Sequence, residues 1–453
     1  MKRERFSSRF GFIMISAGCA IGLGNVWKFP YMVGYNGGGA FVLMYLIFLA
    51  ILGIPILTIE YAIGRGSQKS PTKMYNQLEP EGTKWHLHGY ACLVGIYLLM
   101  MFYTTVAGWM LCYFVKMITG QMDGLDADGV GAAFGGLLAS PSTMIVYMGI
   151  VVVVGFFICS FSLEKGLERV TKYIMVALLV LIFILAAYSL SLDGAKEGMN
   201  FYLKPDFGVM GEIGYGTVAI KAMSHAFFTL GLGVGSMAIF GSYINKDQSL
   251  LGESVSVTIL DTLVAMVSGI VIFPACFTFG VEATSGPGLV FVTLPNIFNS
   301  MAGGKIFGCM FFAFMTCAAF STVFAVFECI IACTMDLTGW TRKKTCLVSG
   351  IIMFVLSLPC LLGFNVLAGF QPLGEGSTVL DLEDFLLSNI LLPIGATIFI
   401  LFCTTKKGWG WDNFVREANS GKGFKIHPWM RGYISYVLPA IVMAVFVIGL
   451  ITY

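Results

Sequence analysis

Long apolar runs, separated by short polar connections, dominate the chain. A helix that crosses a bilayer needs about 20 mostly apolar residues, and eleven stretches of the sequence meet this requirement. They do not alternate between apolar and polar positions as membrane β-strands do. The pattern therefore predicts an all-α polytopic membrane protein with about 11 transmembrane helices. The predicted helices lie at about 10–35, 39–63, 86–119, 142–161, 166–190, 215–243, 249–280, 305–338, 345–368, 380–405 and 430–453.

Composition excludes two other classes of protein. Of the 453 residues, 57% are hydrophobic and only 11% are charged, whereas an average soluble domain has about 25% charged residues. Disordered chains need low hydrophobicity and high charge, which is the opposite composition. The net charge of +2 gives no basic footprint for nucleic acid. What remains is a polytopic membrane protein, and the expected partner at this point is the lipid bilayer.

The distribution of basic residues predicts the orientation in the membrane. Most of the 27 Lys and Arg residues fall in the N-terminal segment and in every second connection thereafter. Cytoplasmic loops carry such an excess, so the N-terminus is expected in the cytoplasm and the C-terminus outside, in the plasma (inner) membrane. The first stretch is interrupted by Asn25 and Lys28, which is unlike a cleaved signal peptide.

Two of the predicted helices carry glycines and polar residues near the middle of the membrane. Residues 16–30 read SAGCAIGLGNVWKFP in the first helix, and residues 227–236 read FFTLGLGVGS in the sixth. Such small residues are also typical of close helix packing. However, interruptions at corresponding places of two five-helix halves indicate an inverted-repeat transporter with a site between the breaks. We expect one domain, 1–453, with repeats at 10–190 and 215–405 and an additional helix at 430–453.

Several motifs together make the sequence similar to a known family. They are residues 9–30, the run NGGGAF at 36–41, the loop GLER at 166–169, and Phe228-Thr229. With these motifs the chain resembles the neurotransmitter:sodium symporter family, particularly its bacterial amino-acid members. The resemblance implies a 5+5 inverted repeat with helices 1 and 6 broken at the midplane. It also implies sodium-coupled uptake of an amino acid by alternating access.

The resemblance further implies two sodium sites. Shells of oxygen ligands suit hard cations such as Na⁺. Taken alone, Ser321 and Thr322 are more typical of hydroxyls that bond back to their own helix than of ligands. The first site would use the carbonyls of Ala20 and Thr229, the side chains of Asn25, Thr229 and Asp261, and the substrate carboxylate. The second would use the carbonyls of Gly18, Ile21 and Ala318 and the hydroxyls of Ser321 and Thr322.

By the same resemblance, the substrate would bind between the two breaks. Its carboxylate would meet the backbone N–H groups of Leu23 and Gly24 and the Tyr103 hydroxyl. Its amino group would meet carbonyls around Ala20, Phe228 and Gly231. Taken alone, Tyr103 and Phe228 are also typical of core aromatic residues. The specificity-determining residues would be Leu99, Tyr103, Phe228, Gly231, Val234, Thr322 and Val326.

Three positions bear on the substrate and on chloride. Monoamine-transporting members of the family carry an acid where this chain has Gly22, so a substrate with its own carboxylate is expected. Gly231 and Val234 are small, which leaves room for a hydrophobic or aromatic side chain. Many relatives have Asn where this chain has Asp261, and a fixed carboxylate beside a sodium ion would make chloride unnecessary. A proton bound there could also travel back on the empty return step.

Charged residues at membrane depth are costly and are functional candidates by default. The resemblance assigns Lys28 and Asp384 to an outer gate and Arg3 and Asp336 to an inner gate, although such charges can also be membrane-interface anchors. Lys in place of the more common Arg predicts a looser outer contact. Glu60 matches an acid that braces the unwound segments. Glu328 has no role that the resemblance assigns.

Other classes of membrane protein fit the sequence less well. A channel would show filter-like repeats or rings of charge, and an enzyme would show a clustered acid–base or metal constellation; neither is visible in the sequence, so we expect no enzyme. The alternative that stays open is a proton-coupled or uncoupled amino-acid carrier of the same fold. Asn25, Ser321 and Thr322 favour sodium, and two ions are expected.

Overall fold

The structure is a computed structural model and describes residues 5–281, 288–301 and 303–451. These residues are almost entirely helical. In chain order the helices are α1 Arg9–Ala20, α2 Gly24–Tyr35, α3 Gly39–Ser67, α4 Pro71–Leu78, α5 His86–Ile118, α6 Ala127–Leu138, α7 Pro141–Cys159, α8 Gly166–Ser189, α9 Ala195–Leu203, α10 Phe207–Ile213, α11 Tyr215–Thr229, α12 Ser236–Gly241, α13 Leu250–Phe279, α14 Leu289–Ser300, α15 Gly304–Thr338, α16 Arg342–Leu362, α17 Val379–Thr404, α18 Trp411–Ala418 and α19 Met430–Ile451.

Each of the eleven predicted stretches contains helix in the structure. Within the described residues, nine helices are individually long and apolar enough to cross a membrane, and α1 and α2 together form a further span bent by 54°. The sixth stretch is divided into α11 and α12, of 15 and 6 residues, which are too short to cross singly. The predicted stretch 345–368 is shifted, because its helix α16 begins at Arg342 and ends at Leu362.

Helix α15 forms the centre of the bundle. Its most apolar 18-residue window is 72% buried, the highest share among the membrane-spanning candidates, and it packs against α1, α5, α7 and α8. By contrast, only 22% of the corresponding window of α19 is buried. A helix that is apolar all round and also surrounded by protein belongs to the core of a large helical membrane protein. The side chains of α15 are therefore available to an internal site.

The first break separates α1 from α2. Ile21 follows α1 with an extended backbone, φ −70° and ψ 99°, so the helix cannot continue through it. The axis then turns by 54° before α2. Irregular backbone at membrane depth is tolerated where protein surrounds it or where it lines a cavity. Gly22 and Leu23 at this break are both buried in the protein.

The second break separates α11 from α12. Gly231, Gly233 and Gly235 have φ values of +59°, +101° and +74°, in the left-handed region that favours glycine. A Cβ atom on Gly233 would lie 2.1 Å from the carbonyl oxygen of Leu392 in α17. Glycine is therefore required there both by the backbone angle and by the close approach of α17.

Candidate ion and substrate site

The five groups expected at the second sodium site meet where α1 ends beside α15. The Ser321 hydroxyl lies 3.2 Å from the carbonyl oxygen of Ile21 and 2.8 Å from that of Ala318. The Thr322 hydroxyl lies 3.2 Å from the carbonyl oxygens of both Gly18 and Ile21. All five residues are buried. The hydroxyls thus bond across to the broken helix, in addition to the bond from Ser321 to its own helix.

The three side chains expected at the first sodium site, those of Asn25, Thr229 and Asp261, also lie together. The Asn25 amide donates a hydrogen bond to the Asp261 carboxylate at 2.8 Å, and the Thr229 hydroxyl donates one at 3.3 Å. The Asn25 side-chain oxygen accepts a hydrogen bond from the Gly22 N–H at 3.2 Å. Asn25 and Asp261 have no exposed surface and Thr229 has 2%. The cluster is therefore rich in oxygen and shielded from water, which are properties that suit a hard cation.

A cavity lies between the two helix breaks, and all ten predicted substrate-site residues line it. The Leu23 N–H donates a hydrogen bond to the Tyr103 hydroxyl at 3.1 Å. A Cβ atom on Gly22 would lie 2.4 Å from the Tyr103 hydroxyl oxygen and 2.5 Å from that of Thr322. The cavity thus has backbone and hydroxyl groups at one end. The ten residues are Ala20, Leu23, Gly24, Leu99, Tyr103, Phe228, Gly231, Val234, Thr322 and Val326.

The structure adds residues to the cavity wall that the sequence did not indicate. Leu387 and Leu392 of α17 line it, as do Cys19 and Ser236 beside the breaks. The Ser236 hydroxyl donates a hydrogen bond to the Gly231 carbonyl at 3.1 Å, within the second break. The two leucines are separated from the breaks by about 150 residues or more. Only the packing of α17 against the second break brings them to the cavity.

A vestibule adjoins the cavity and shares Leu23, Gly24, Tyr103 and Phe228 with it. The Lys28 ammonium is 3.0 Å from the Asp384 carboxylate and 3.9 Å from the centre of the Phe228 ring. The two charged side chains are 30% and 32% exposed. The predicted outer pair is thus in direct contact, even though Lys lacks the two-pronged geometry of Arg.

The inner pair is only partly visible. Arg3 lies outside the described residues, so its predicted contact with Asp336 is not described. The Asp336 carboxylate accepts a hydrogen bond from the backbone N–H of Ser70 at 2.8 Å. This contact holds the end of α15 to the start of α4.

Glu60 contacts the second break directly. Its carboxylate accepts a hydrogen bond from the Gly233 N–H at 2.6 Å, and the side chain has no exposed surface. An unwound segment leaves backbone N–H groups without helical partners, and a buried group of this kind is costly unless it is bonded. The geometry is the one expected of a brace.

The structure supplies partners for Glu328, to which the sequence assigned no role. Its carboxylate pairs with the Arg342 guanidinium of α16 and accepts a hydrogen bond from the Tyr243 hydroxyl at 2.8 Å. Arg342 also donates to the Cys159 carbonyl of α7 at 2.7 Å. The charge of Glu328 is therefore compensated within the protein, and the pair connects α15, α16 and α7.

Comparison with known proteins shows similarity along nearly the whole chain. The model of the sodium:neurotransmitter symporter family matches residues 3–125 and 138–453. An uncharacterized sodium-dependent transporter of Bacillus subtilis, YhdH, is 34% identical, with 100% of this chain and 99% of that protein covered. Another uncharacterized sodium-dependent transporter, from Haemophilus influenzae, is 31% identical, with 99% and 98% covered.

A solved structure has the same architecture. The crystal structure of MhsT in complex with L-phenylalanine is 38% identical, with a TM-score of 0.88, and the match covers 98% of this chain and 99% of that one. This likeness confirms the predicted fold class, a helical membrane bundle with broken first and sixth spans. The chain is therefore a multi-pass membrane protein.

Proposed function

Because the chain belongs to the sodium:neurotransmitter symporter family, we propose that it is a sodium-coupled symporter that imports a hydrophobic or aromatic amino acid by alternating access. The observation that carries the proposal is the cluster of five oxygen groups between α1 and α15. Each side of the cluster belongs to a different helix, so a bound ion favours the arrangement in which these helices stay together. A ligand shifts a conformational equilibrium only through such a difference in affinity.

The surroundings of Gly22 support an amino acid as the substrate. The space next to this residue is filled by the Tyr103 and Thr322 hydroxyls, so an acidic side chain at this position would clash with both. Position 22 therefore has no room for a carboxylate of the protein, and we propose that the substrate brings its own. We assign its carboxylate to the backbone of Leu23 and Gly24 and to the Tyr103 hydroxyl.

The remaining wall of the cavity supports an apolar substrate side chain. It includes Leu99, Val326, Leu387 and Leu392, all without charge or hydrogen-bonding side chains. A Cβ atom on Gly231 would have only the Ser236 hydroxyl near it, at 3.6 Å, so the cavity has room on that side. MhsT was crystallised with L-phenylalanine, and phenylalanine is the first substrate to test.

We assign two sodium ions, one to the cluster around Asp261 and one to the cluster of Ser321 and Thr322. The Asp261 carboxylate can balance the first ion by itself, so transport is proposed to be independent of chloride. Gating is proposed to use the Lys28–Asp384 pair on the outside and Arg3 with Asp336 on the inside. The N-terminus is placed in the cytoplasm and the C-terminus outside, with repeats at 10–190 and 215–405.

The test uses the purified protein in liposomes with potassium on both sides. An inward sodium gradient is expected to drive accumulation of tritiated phenylalanine above the equilibrium level, and replacement of sodium by choline should abolish it. Unlabelled leucine and tryptophan should compete, whereas glycine should not. Accumulation that is equal with choline and with sodium would refute the proposal.

The surroundings of Asp261 support the alternative function, a proton-coupled amino-acid carrier of the same fold. This carboxylate is buried at membrane depth, and its hydrogen-bonding partners among the described residues are the neutral Asn25 and Thr229. A proton bound to this carboxylate would take the place of the cation in such a carrier. A proton gradient that drives phenylalanine uptake without sodium would establish a proton-coupled carrier. Efflux of protons only during sodium-driven uptake would establish counter-transport.

A further inference from the structure

An apolar groove runs between α7 and α16 on the outside of the bundle, away from the substrate cavity. Its volume is about 490 Å³, within the range of about 300–1,000 Å³ found for ligand sites. Val153, Phe157, Leu347 and Ile351 line it, and each exposes more than half of its surface. This side of the protein faces the bilayer, so hydrocarbon is the expected occupant.

Aromatic rings and glycines shape the floor of the groove. A Cβ atom on Gly350 of α16 would lie 3.3 Å from the ring of Phe156, and one on Gly149 of α7 would lie 3.3 Å from the ring of Phe354. Each helix thus packs one of its aromatic rings against a backbone glycine of the other helix. The floor is fixed by close packing of protein, so a chain that enters the groove finds a formed surface.

One end of the groove is polar and positively charged. Ser160 and Lys343 line this end; Ser160 is half-buried and Lys343 is exposed. Lys343 has no ion-pair partner among the described residues, whereas its neighbour Arg342 turns inward to Glu328. Lys344, next along the chain, is also exposed and lies 4.3 Å from the centre of the Trp340 ring. The groove therefore combines an apolar surface with the positively charged Lys343 side chain at one end.

We propose that this groove binds an anionic phospholipid, with an acyl chain between α7 and α16 and the phosphate group on Lys343. The charge at the mouth selects an anionic headgroup over a zwitterionic one, since Lys residues near a membrane surface attract anionic lipid. The site adjoins the contact of Arg342 with the Cys159 carbonyl, which is 2.7 Å long. A lipid that joins the same two helices should strengthen that contact and stabilise the protein.

The experiment is native mass spectrometry of the full chain released from detergent with dioleoyl-phosphatidylglycerol or dioleoyl-phosphatidylcholine. One phosphatidylglycerol should stay bound with an affinity at least fivefold higher than that of phosphatidylcholine. Lys343→Gln should reduce the preference about fivefold, whereas Lys422→Gln, an exposed lysine elsewhere in the chain, should leave it unchanged. Inorganic phosphate at millimolar concentration should not displace the lipid, because the acyl chain supplies part of the binding.

Two further variants test the hydrocarbon part of the site. Ile351→Trp fills the groove and should displace the lipid, while Val355→Trp, one turn further on the same helix and exposed to a similar degree, should not. Circular dichroism and elution volume show whether each variant is folded. Equal retention of the two lipids, or equal loss with Lys422→Gln, would overturn the proposal. A dimer in lipid-free detergent that Ile351→Trp alone disrupts would also overturn it, because a second copy would then cover the groove.

Discussion

Removal of a single oxygen from the cluster between α1 and α15 tests the proposed second ion site. Ser321→Ala deletes a hydroxyl that lies 3.2 Å from the Ile21 carbonyl oxygen and 2.8 Å from that of Ala318. The substitution leaves the four other oxygen groups in place, and alanine keeps the helix intact. A polar contact to a charged group contributes about 1.5–3 kcal/mol, and 1.4 kcal/mol corresponds to a factor of ten. Sodium should therefore bind about 10- to 150-fold more weakly at this site.

The assay is binding of ²²Na⁺ to the purified protein, which requires no knowledge of the substrate. The matched control is Ser268→Ala, since the Ser268 hydroxyl is also buried and donates to its own helix, at the Val264 carbonyl, 2.8 Å away. The control removes the same atom at a place where no ion is proposed, so it should bind sodium like the unaltered protein. Because the first proposed site also binds sodium, the binding curves are fitted with two sites. If neither sodium affinity of Ser321→Ala differs from that of the control by more than twofold, the assignment of the site is refuted.

Three other predictions concern the anion, the brace and the outer gate. Replacement of chloride by gluconate should leave sodium-driven phenylalanine uptake within twofold, because Asp261 supplies the negative charge; loss of uptake would mean that chloride is required. Glu60→Gln replaces the carboxyl group that accepts from the Gly233 N–H by an amide and should cost about 1–2 kcal/mol, seen as a lower melting temperature in detergent; an unchanged melting temperature would argue against a brace. Lys28→Gln removes a partly exposed ion pair with Asp384, worth about 0.2–1 kcal/mol, so half-maximal uptake should need at most about fivefold more phenylalanine; complete inactivity would show that Lys28 does more than close the vestibule.

The sequence predicted the helices and both breaks because these features are local. A long apolar run leaves the backbone no alternative to a helix in a bilayer, and the glycines of the second break have the positive φ values that glycine favours. The end of α16 was less well predicted, since residues 363–368, which are mostly apolar, continue the hydrophobic run beyond the helix. Hydrophobicity alone does not mark where an apolar segment stops being helical.

Residues that act through distant contacts were harder to predict. The resemblance to the family supplied the set around Ser321 and Thr322, whereas pattern alone would have assigned both hydroxyls to their own helix. Glu328 could not be interpreted, because its partners Arg342 and Tyr243 lie 14 and 85 residues away. Leu387 was missed because nothing in a run of apolar residues distinguishes a cavity wall from a lipid-facing side.

Sodium and an amino acid are proposed to cross the membrane together. Simultaneous measurement of the uptake of both by the same liposomes decides whether they do. Proteoliposomes would receive ²²Na⁺ and tritiated phenylalanine together, with each solute also measured in the absence of the other. Each solute should accelerate the entry of the other, and Ser321→Ala should weaken both effects at low sodium concentration. Phenylalanine entry that is unaffected by sodium, with no ²²Na⁺ entering alongside it, would contradict sodium-coupled symport.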